Sequence, residues 1–441
     1  MDKIEQFVRK LAEFSVTKTH DELPSFYNLA FMNWFGVTLA GANQVSVDRT
    51  ARYYQEEAPG EYTPIGRGEH LSASACALID CFSSETLGYD DIHFGTTLHP
   101  AGPVAAAILA VAHKTKINGK EAMRALRIGM EVEIRMTIAL LGKGTNAAKG
   151  WYPTAIAGGF GAAAAAGYLL SLSEDEMMTA FAITAQRSTG TRGAHGANSA
   201  FLPPAYVTEA GYAAVRMAQI GFTCNGVSVY GKNGFINQIT SSANIDEAID
   251  GLGERYYTED TSCKPFPYGF IGHAVISCCN DLWAYMHETG KKLKELDVYV
   301  SDNNANLGDN PAPKNMNQAQ VSIRYIAAAV MVDPGLAYTP VEEDFKMRSD
   351  IEEMTRYITV KGAEGINNQQ ARCTALFEDG TEKEVRCDFC PGSVENMLSE
   401  KDTRDKFMRL VSPIRGTDGA KELMTQYDHL QDIDDISAFI K

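Results

Sequence analysis

The chain has 441 residues, 45% of them hydrophobic and 22% charged, with 40 Lys+Arg against 56 Asp+Glu and a formal net charge of −16. That length supports large cores and two or three domains. An acidic chain without a basic block argues against nucleic acid or an anionic membrane surface as partner, but not against a small anionic ligand in a locally positive pocket. The first residues, Met1-Asp2-Lys3-Ile4-Glu5, lack the basic-then-apolar order of a signal peptide. Apolar runs are broken before spanning length, so no transmembrane helix is expected. Nine scattered cysteines do not form a disulfide framework, and the expected compartment is a reducing cytoplasm.

Apolar residues recur at helical spacing over residues 4–16 (Ile4, Phe7, Val8, Leu11, Phe14). Helices are predicted over Leu29–Leu39, Ala73–Phe82, Ala101–Ala112, Lys120–Leu141, Gly158–Leu170, Glu174–Ala185 and Ala205–Ile220. Pro100 and Pro103 suit the first turn of the third of these. Past residue 264 strand patterns enter, at Leu296–Val300, Gln318–Tyr325, Tyr357–Val360 and Arg372–Phe377. The pair Asp379-Gly380 predicts a hairpin into Lys383–Cys387. Helix returns at Thr403–Val411 and Asp418–Met424. The fold class read from this is mainly α plus α/β: a large all-helical domain over 1–263, a smaller α/β domain over 264–398, and C-terminal helices over 399–441 returning to the helical domain.

Two local patterns have a bland explanation. Gly159-Phe160-Gly161-Ala162-Ala163-Ala164 fits the dinucleotide fingerprint G-x-G-x-x-A, but Gly150-Trp151-Tyr152-Pro153 before it is a poor strand. Close helix packing through small residues is the expectation. Cys387-Asp388-Phe389-Cys390 is a lone CxxC without the second pair that a structural zinc site needs.

The chemistry concentrates elsewhere. Tyr89-Asp90-Asp91-Ile92-His93-Phe94-Gly95-Thr96-Thr97-Leu98-His99-Pro100 places two carboxylates, two imidazoles and two hydroxyls between apolar runs. Burying such groups unpaired costs several kcal/mol, so their gathering points to a catalytic pocket. The alternatives are helix capping and a satisfied core histidine. A metal on His93 and His99 with Asp90 or Asp91 is not indicated by the spacing. Lys149 and Tyr152 lie in a loop before a tightly packed helix. Arg187–Gly196, with Arg192 at its centre, is a glycine-rich cationic loop suited to a carboxylate. Lys264-Pro265-Phe266-Pro267-Tyr268-Gly269 leads to His273 at the presumed domain boundary, where ligand sites are common. Ser322 and Tyr325 add a hydroxyl and a phenol. Together these groups resemble a toolkit for proton transfer next to a carboxylate, with His99 and Tyr152 as acid and base and Lys264 and Arg192 holding the anion.

In this order the motifs resemble the MmgE/PrpD family, which has dehydratase, decarboxylase and epimerase members. The matching pieces are Asp90-Asp91 with His99-Pro100-Ala101-Gly102, Gly150-Trp151-Tyr152-Pro153-Thr154 before Gly161–Ala165, and Ala210-Gly211 through Gly221-Phe222-Thr223. Lys264-Pro265-Phe266-Pro267 with His273, Ser322 with Tyr325, and Pro391-Gly392-Ser393 with Lys406-Phe407 complete them. The resemblance implies a helical domain with an α/β lid, a homodimer, no organic cofactor, no metal, and a small di- or tricarboxylate substrate. By position, His99, Lys264, His273 and Tyr325 would line the pocket beside Asp90 or Asp91, with Thr97 and Lys149 as further binding candidates. Two departures stand out: dehydratase and decarboxylase members commonly carry a histidine where this chain has Tyr152, and a lysine near Ala200-Phe201. The expectation is therefore an isomerase or lyase that removes a proton α to a carboxylate, leaning to an epimerase. A dehydratase or decarboxylase is the alternative, and a carboxylate binder without chemistry is the reading from another class.

Overall fold

A computed structural model describes residues 2–18, 21–143 and 150–440. Two apolar cores organise them. The larger is helical, and its helices include Lys3–Val16, Phe26–Gly41, Ala73–Thr86, Ala101–Ala112, Gly119–Leu141, Pro153–Leu169, Glu174–Ala185 and Leu202–Gln219. Gly119–Leu141 and Pro153–Leu169 are buried on nearly every face. This explains why the apolar pattern of Pro153–Leu169 is a run and not a stripe.

The small residues of Pro153–Leu169 let its neighbours in. A Cβ on Gly211 would come within 2.2 Å of the Gly159 carbonyl, and one on Gly129 within 2.8 Å of the Gly161 carbonyl. The G-x-G-x-x-A pattern is thus helix–helix contact, as expected, inside a helix with no strand before it.

The smaller core is α/β, with buried residues from Phe266 to Cys390. Its sheet runs Ile358–Gly362, Leu293–Val300, Ala371–Phe377, Glu382–Cys387, the first pair parallel and the others antiparallel. The hairpin turns at Gly380, whose φ of 79° is the left-handed region that Asp-Gly turns exploit. Helices His273–Thr289 and Ile323–Val332 cover the sheet.

The strand expected over Gln318–Tyr325 is instead two helices, Met316–Gln320 and Ile323–Val332. Two N-caps decide it. Asn315 Oδ1 accepts from the Gln318 N–H at 2.9 Å, and Ser322 Oγ accepts from the Tyr325 N–H at 3.0 Å. Such caps satisfy the free donors of a helix's first turn. The final helical segment, Glu400–Asp428, breaks at Gly416 (φ 74°) and sends Phe407, Leu410 and Val411 back into the larger core.

All nine cysteines are free, Cys387 and Cys390 included. Among the described residues no helix is long and apolar enough to cross a membrane.

Candidate active site

A cavity of about 310 Å³ opens between the two cores. The helical domain contributes Thr97, His99, Tyr152, Arg192 and His195; from the other side come Lys264, Phe270, Asn304, Asn317 and Gln320.

A two-stranded ribbon carries the centre. Asp91–His93 pairs antiparallel with Thr261–Cys263, and the Lys264 N–H donates to the Asp90 carbonyl at 2.9 Å. This brings two side chains 174 positions apart into contact. Lys264 Nζ lies 2.6 Å from Asp90 Oδ1. The other carboxylate oxygen, Oδ2, lies 2.7 Å from His99 Nδ1. The same ring nitrogen is 2.7 Å from the Asp91 carbonyl. Both neighbours only accept, so Nδ1 holds a proton, and a neutral ring then carries its lone pair at Nε2. Burial opposes ionisation of Asp90, but His99 and Lys264 outweigh it and hold the carboxyl well below its usual range. From beneath, Lys406 donates to the Tyr89 and Lys264 carbonyls at 2.5 and 2.9 Å. Burial pushes its pKa down to about 8.

Asp91 points the other way. Its carboxylate accepts from the Ala101 N–H at 3.0 Å, at the start of the helix Ala101–Ala112. Burial and the charge of Asp90 push its pKa up to about 6. Asp90 thus holds His99 and Lys264, Asp91 caps a helix, and neither is among the residues lining the cavity.

Tyr152 precedes Pro153, which opens its helix as a first-turn proline. Its N–H donates to the Gly190 carbonyl, and the Arg192 N–H to the Gly150 carbonyl, so the cationic loop is stitched beside the phenol. Arg192 in turn donates to Thr97 Oγ1 at 3.1 Å. Thr97 has φ 56°, strained for a β-branched residue. The rings of His99 and Tyr152 meet edge to face at 6.3 Å, and His195 stands edge-on to Tyr152 at 5.3 Å.

A phenol works as a base only where a nearby cation depresses its pKa. The structure places an acid there. The Tyr152 hydroxyl donates to Glu85 Oε2 at 3.0 Å. Burial, then Glu85 and Asp90, push the phenol well above its ordinary value. Burial and Asp90 likewise push Glu85 far up. Tyr152 is therefore a proton donor.

Two candidates lie elsewhere. His273 is fully buried behind the wall, its Nε2 3.2 Å from the Tyr268 carbonyl and its ring against Phe266 and Phe270. Burial first, then Lys264, push its pKa down to about 3. Tyr325 packs edge-on against Phe345 within the small-domain core. Neither is among the residues lining the cavity. Lys149 lies outside the described residues. His93 is buried with its Nδ1 2.7 Å from Thr96 Oγ1. Among the described residues no three His, Cys, Asp or Glu side chains gather as a metal cluster.

Glu85, Asn317 and Gln320 escaped the sequence reading. Glu85 closes a helix whose apolar run was read as ending at Phe82; extending that buried face one turn would have exposed the anomaly. The carboxamides were legible as a bias, since Asn303 to Gln320 is dense in Asn and Gln.

An imidazole held by a carboxylate, a lysine on that carboxylate, and a protonated phenol stand around one small cavity, a set of groups suited to proton transfer. Family models agree: the MmgE/PrpD N-terminal domain matches residues 5–248 and the C-terminal domain residues 266–432, and the chain belongs to the MmgE/PrpD family. Among curated relatives, cis-aconitate decarboxylase of Homo sapiens is 22% identical over 391 residues, 83% of this chain and 78% of that protein. The enzyme of the same name from Aspergillus terreus is 23% identical over 415 residues, covering 87% and 84%. These relatives are carbon–carbon lyases on a small carboxylate and lend no support to an epimerase. Where the resemblance called for a lysine, Ala200 and Phe201 line the cavity.

Proposed function

We propose that this protein is a lyase acting on a small carboxylic acid, with His99 as base, Tyr152 as acid, and Arg192 and Lys264 holding the anion. The observation that carries the reading is the opposed state of the two rings. His99 donates from Nδ1, so its neutral form offers a lone pair at Nε2, while Tyr152 is kept protonated beside Glu85. An epimerase using both rings needs each to accept a proton in turn; a base facing a fixed donor suits elimination. His99 takes the proton α to the carboxylate, electrons move into the enolate beside Lys264, and the phenol protonates the departing β-substituent.

Decarboxylation is the second reading, favoured by the named activity of the relatives. There carbon dioxide leaves first and Tyr152 protonates the resulting carbanion, with no base required. Carboxylic acids incubated in deuterium oxide without added metal or nicotinamide test both. Elimination predicts loss of the β-substituent abolished by His99→Asn. Decarboxylation predicts carbon dioxide release that survives His99→Asn better than Tyr152→Phe. Turnover of a cognate acid with neither outcome and no α-proton exchange overturns both.

A homodimer in a reducing cytoplasm completes the proposal. The free cysteines support the compartment, and light scattering of the purified protein checks the assembly.

A further inference from the structure

The short turn Arg192–Ala194 ends on His195, whose N–H donates to the Arg192 carbonyl at 3.0 Å. Gly196 follows at φ 90°, the left-handed region open to glycine. Its carbonyl accepts from Asn315 Nδ2 at 3.1 Å, which ties the loop to the small domain. Held at both ends, the turn brings guanidinium and imidazole to the cavity together. His195 is exposed there, with its ring edge-on to Tyr152 at 5.3 Å.

Charged and titratable groups stand on several sides of that ring. Arg192 comes from its own loop, His99 and Tyr152 from the helical domain, and Lys264, paired with Asp90, from the ribbon. Glu343 holds the loop through Asn198, whose Nδ2 it accepts at 3.3 Å. The protein packed around the ring, then Arg192 and His99, push the His195 pKa down to about 4. Near neutral pH the unliganded cavity therefore presents a neutral imidazole beside a guanidinium. An anion on Arg192 reverses the local field. A carboxylate within about 4–6 Å of an imidazole favours its protonated form and raises its pKa by about 1–3.

We propose that His195 is a specificity-determining residue of the cavity: it takes up a proton from solvent as a substrate with more than one carboxylate binds, so that one carboxylate rests on Arg192 and a second on the new imidazolium. The added positive charge arrives with the ligand's negative charge, and the empty cavity holds no second cation beside Arg192 from this loop. This rests on the cavity's being the substrate site of the proposed lyase.

Calorimetric titration of the full-length protein with tricarballylate at about pH 6, in two buffers of different ionisation enthalpy, counts the protons taken up. The ligand's own protons cancel between wild type and His195→Gln. With a rise of about 2 in its pKa on binding, His195 should add about half a proton per ligand to the wild-type count. The bound form alone carries the raised pKa, so the gain is present at low pH and lost as pH rises through about 6. Wild type should bind tricarballylate about tenfold more tightly at pH 5 than at pH 7 beyond any change seen in His195→Gln. Butyrate, with one carboxylate for Arg192, should show neither difference. In wild-type nuclear magnetic resonance spectra, the imidazole signal that His195→Gln lacks should titrate at about 4 in the free protein and about 6 with tricarballylate. Equal proton uptake by the two proteins, the same excess with butyrate, or no tricarballylate binding overturns the proposal. Uptake at His195 with no acid turned over would sink the lyase reading and leave this one standing; turnover of a polycarboxylate without uptake at His195 would do the reverse.

Discussion

At Asp90 burial and charge oppose each other, and charge prevails. The carboxylate is ionised because His99 and Lys264 both touch it. Replacing Lys264 by Met leaves that charge buried with half its compensation, a loss of about 3–5 kcal/mol for a broken buried pair. The depressed pKa of Asp90 contributes stability above its unfolded value near pH 4, and that contribution fades as pH falls through the folded value. Urea unfolding should therefore show a large Lys264→Met deficit near pH 7 that shrinks below about pH 4. Glu85 has the opposite sign. Its raised pKa means the folded state keeps a proton that the unfolded chain releases above about pH 4.3. Stability then falls with pH by up to about 1.4 kcal/mol per unit until Glu85 ionises in the folded state. Glu85→Gln retains an acceptor for Tyr152 and cannot ionise. It should flatten that slope between about pH 5 and 7, and an unchanged slope would show that Glu85 is already charged.

At the scale of elements, the helix Pro153–Leu169 is where composition becomes geometry. Its glycines admit neighbours at backbone distance, and Gly211 approaches the Gly159 carbonyl closely. Gly211→Ala brings a methyl against backbone, which cannot rotate away. We expect a loss of about 1–3 kcal/mol or more, read as a lower urea midpoint. Because Tyr152 caps that helix, activity should fall along with stability. The ribbon Asp91–His93 with Thr261–Cys263 is the element that assembles the site, yet each strand has three residues. Too short to show a period of two, neither was legible in the sequence. The misread Gln318–Tyr325 strand has a related cause: polar and apolar residues alternate across a turn between two capped helices, and the caps at Asn315 and Ser322 carry the deciding information.

At the scale of the molecule, the cavity belongs to neither core alone. Its imidazole, phenol and guanidinium stand on the helical domain, and its lysine and carboxamides come from residue 264 onward. Lys406, from the last long helix, secures the join by holding the Tyr89 and Lys264 carbonyls. A ligand bound between the two sides stabilises both. Saturating the protein at about 100 times Kd should add about 2.7 kcal/mol to the unfolding free energy. Differential scanning calorimetry should show the whole transition moving upward, and a ligand that shifts only part of it would place the site within one domain.

The sequence by itself determined the fold class, the helices with sustained apolar periodicity and the family, and it singled out His99, Tyr152, Arg192 and Lys264, which line the cavity, because helical periodicity and motif order are local properties of the chain. Tertiary structure alone decided which carboxylate serves His99, that Tyr152 faces Glu85 and so stays protonated, and that His273 and Tyr325 do not line the cavity. Protonation and exposure follow from burial and from neighbours up to 174 residues away, and no window along the chain contains that distance.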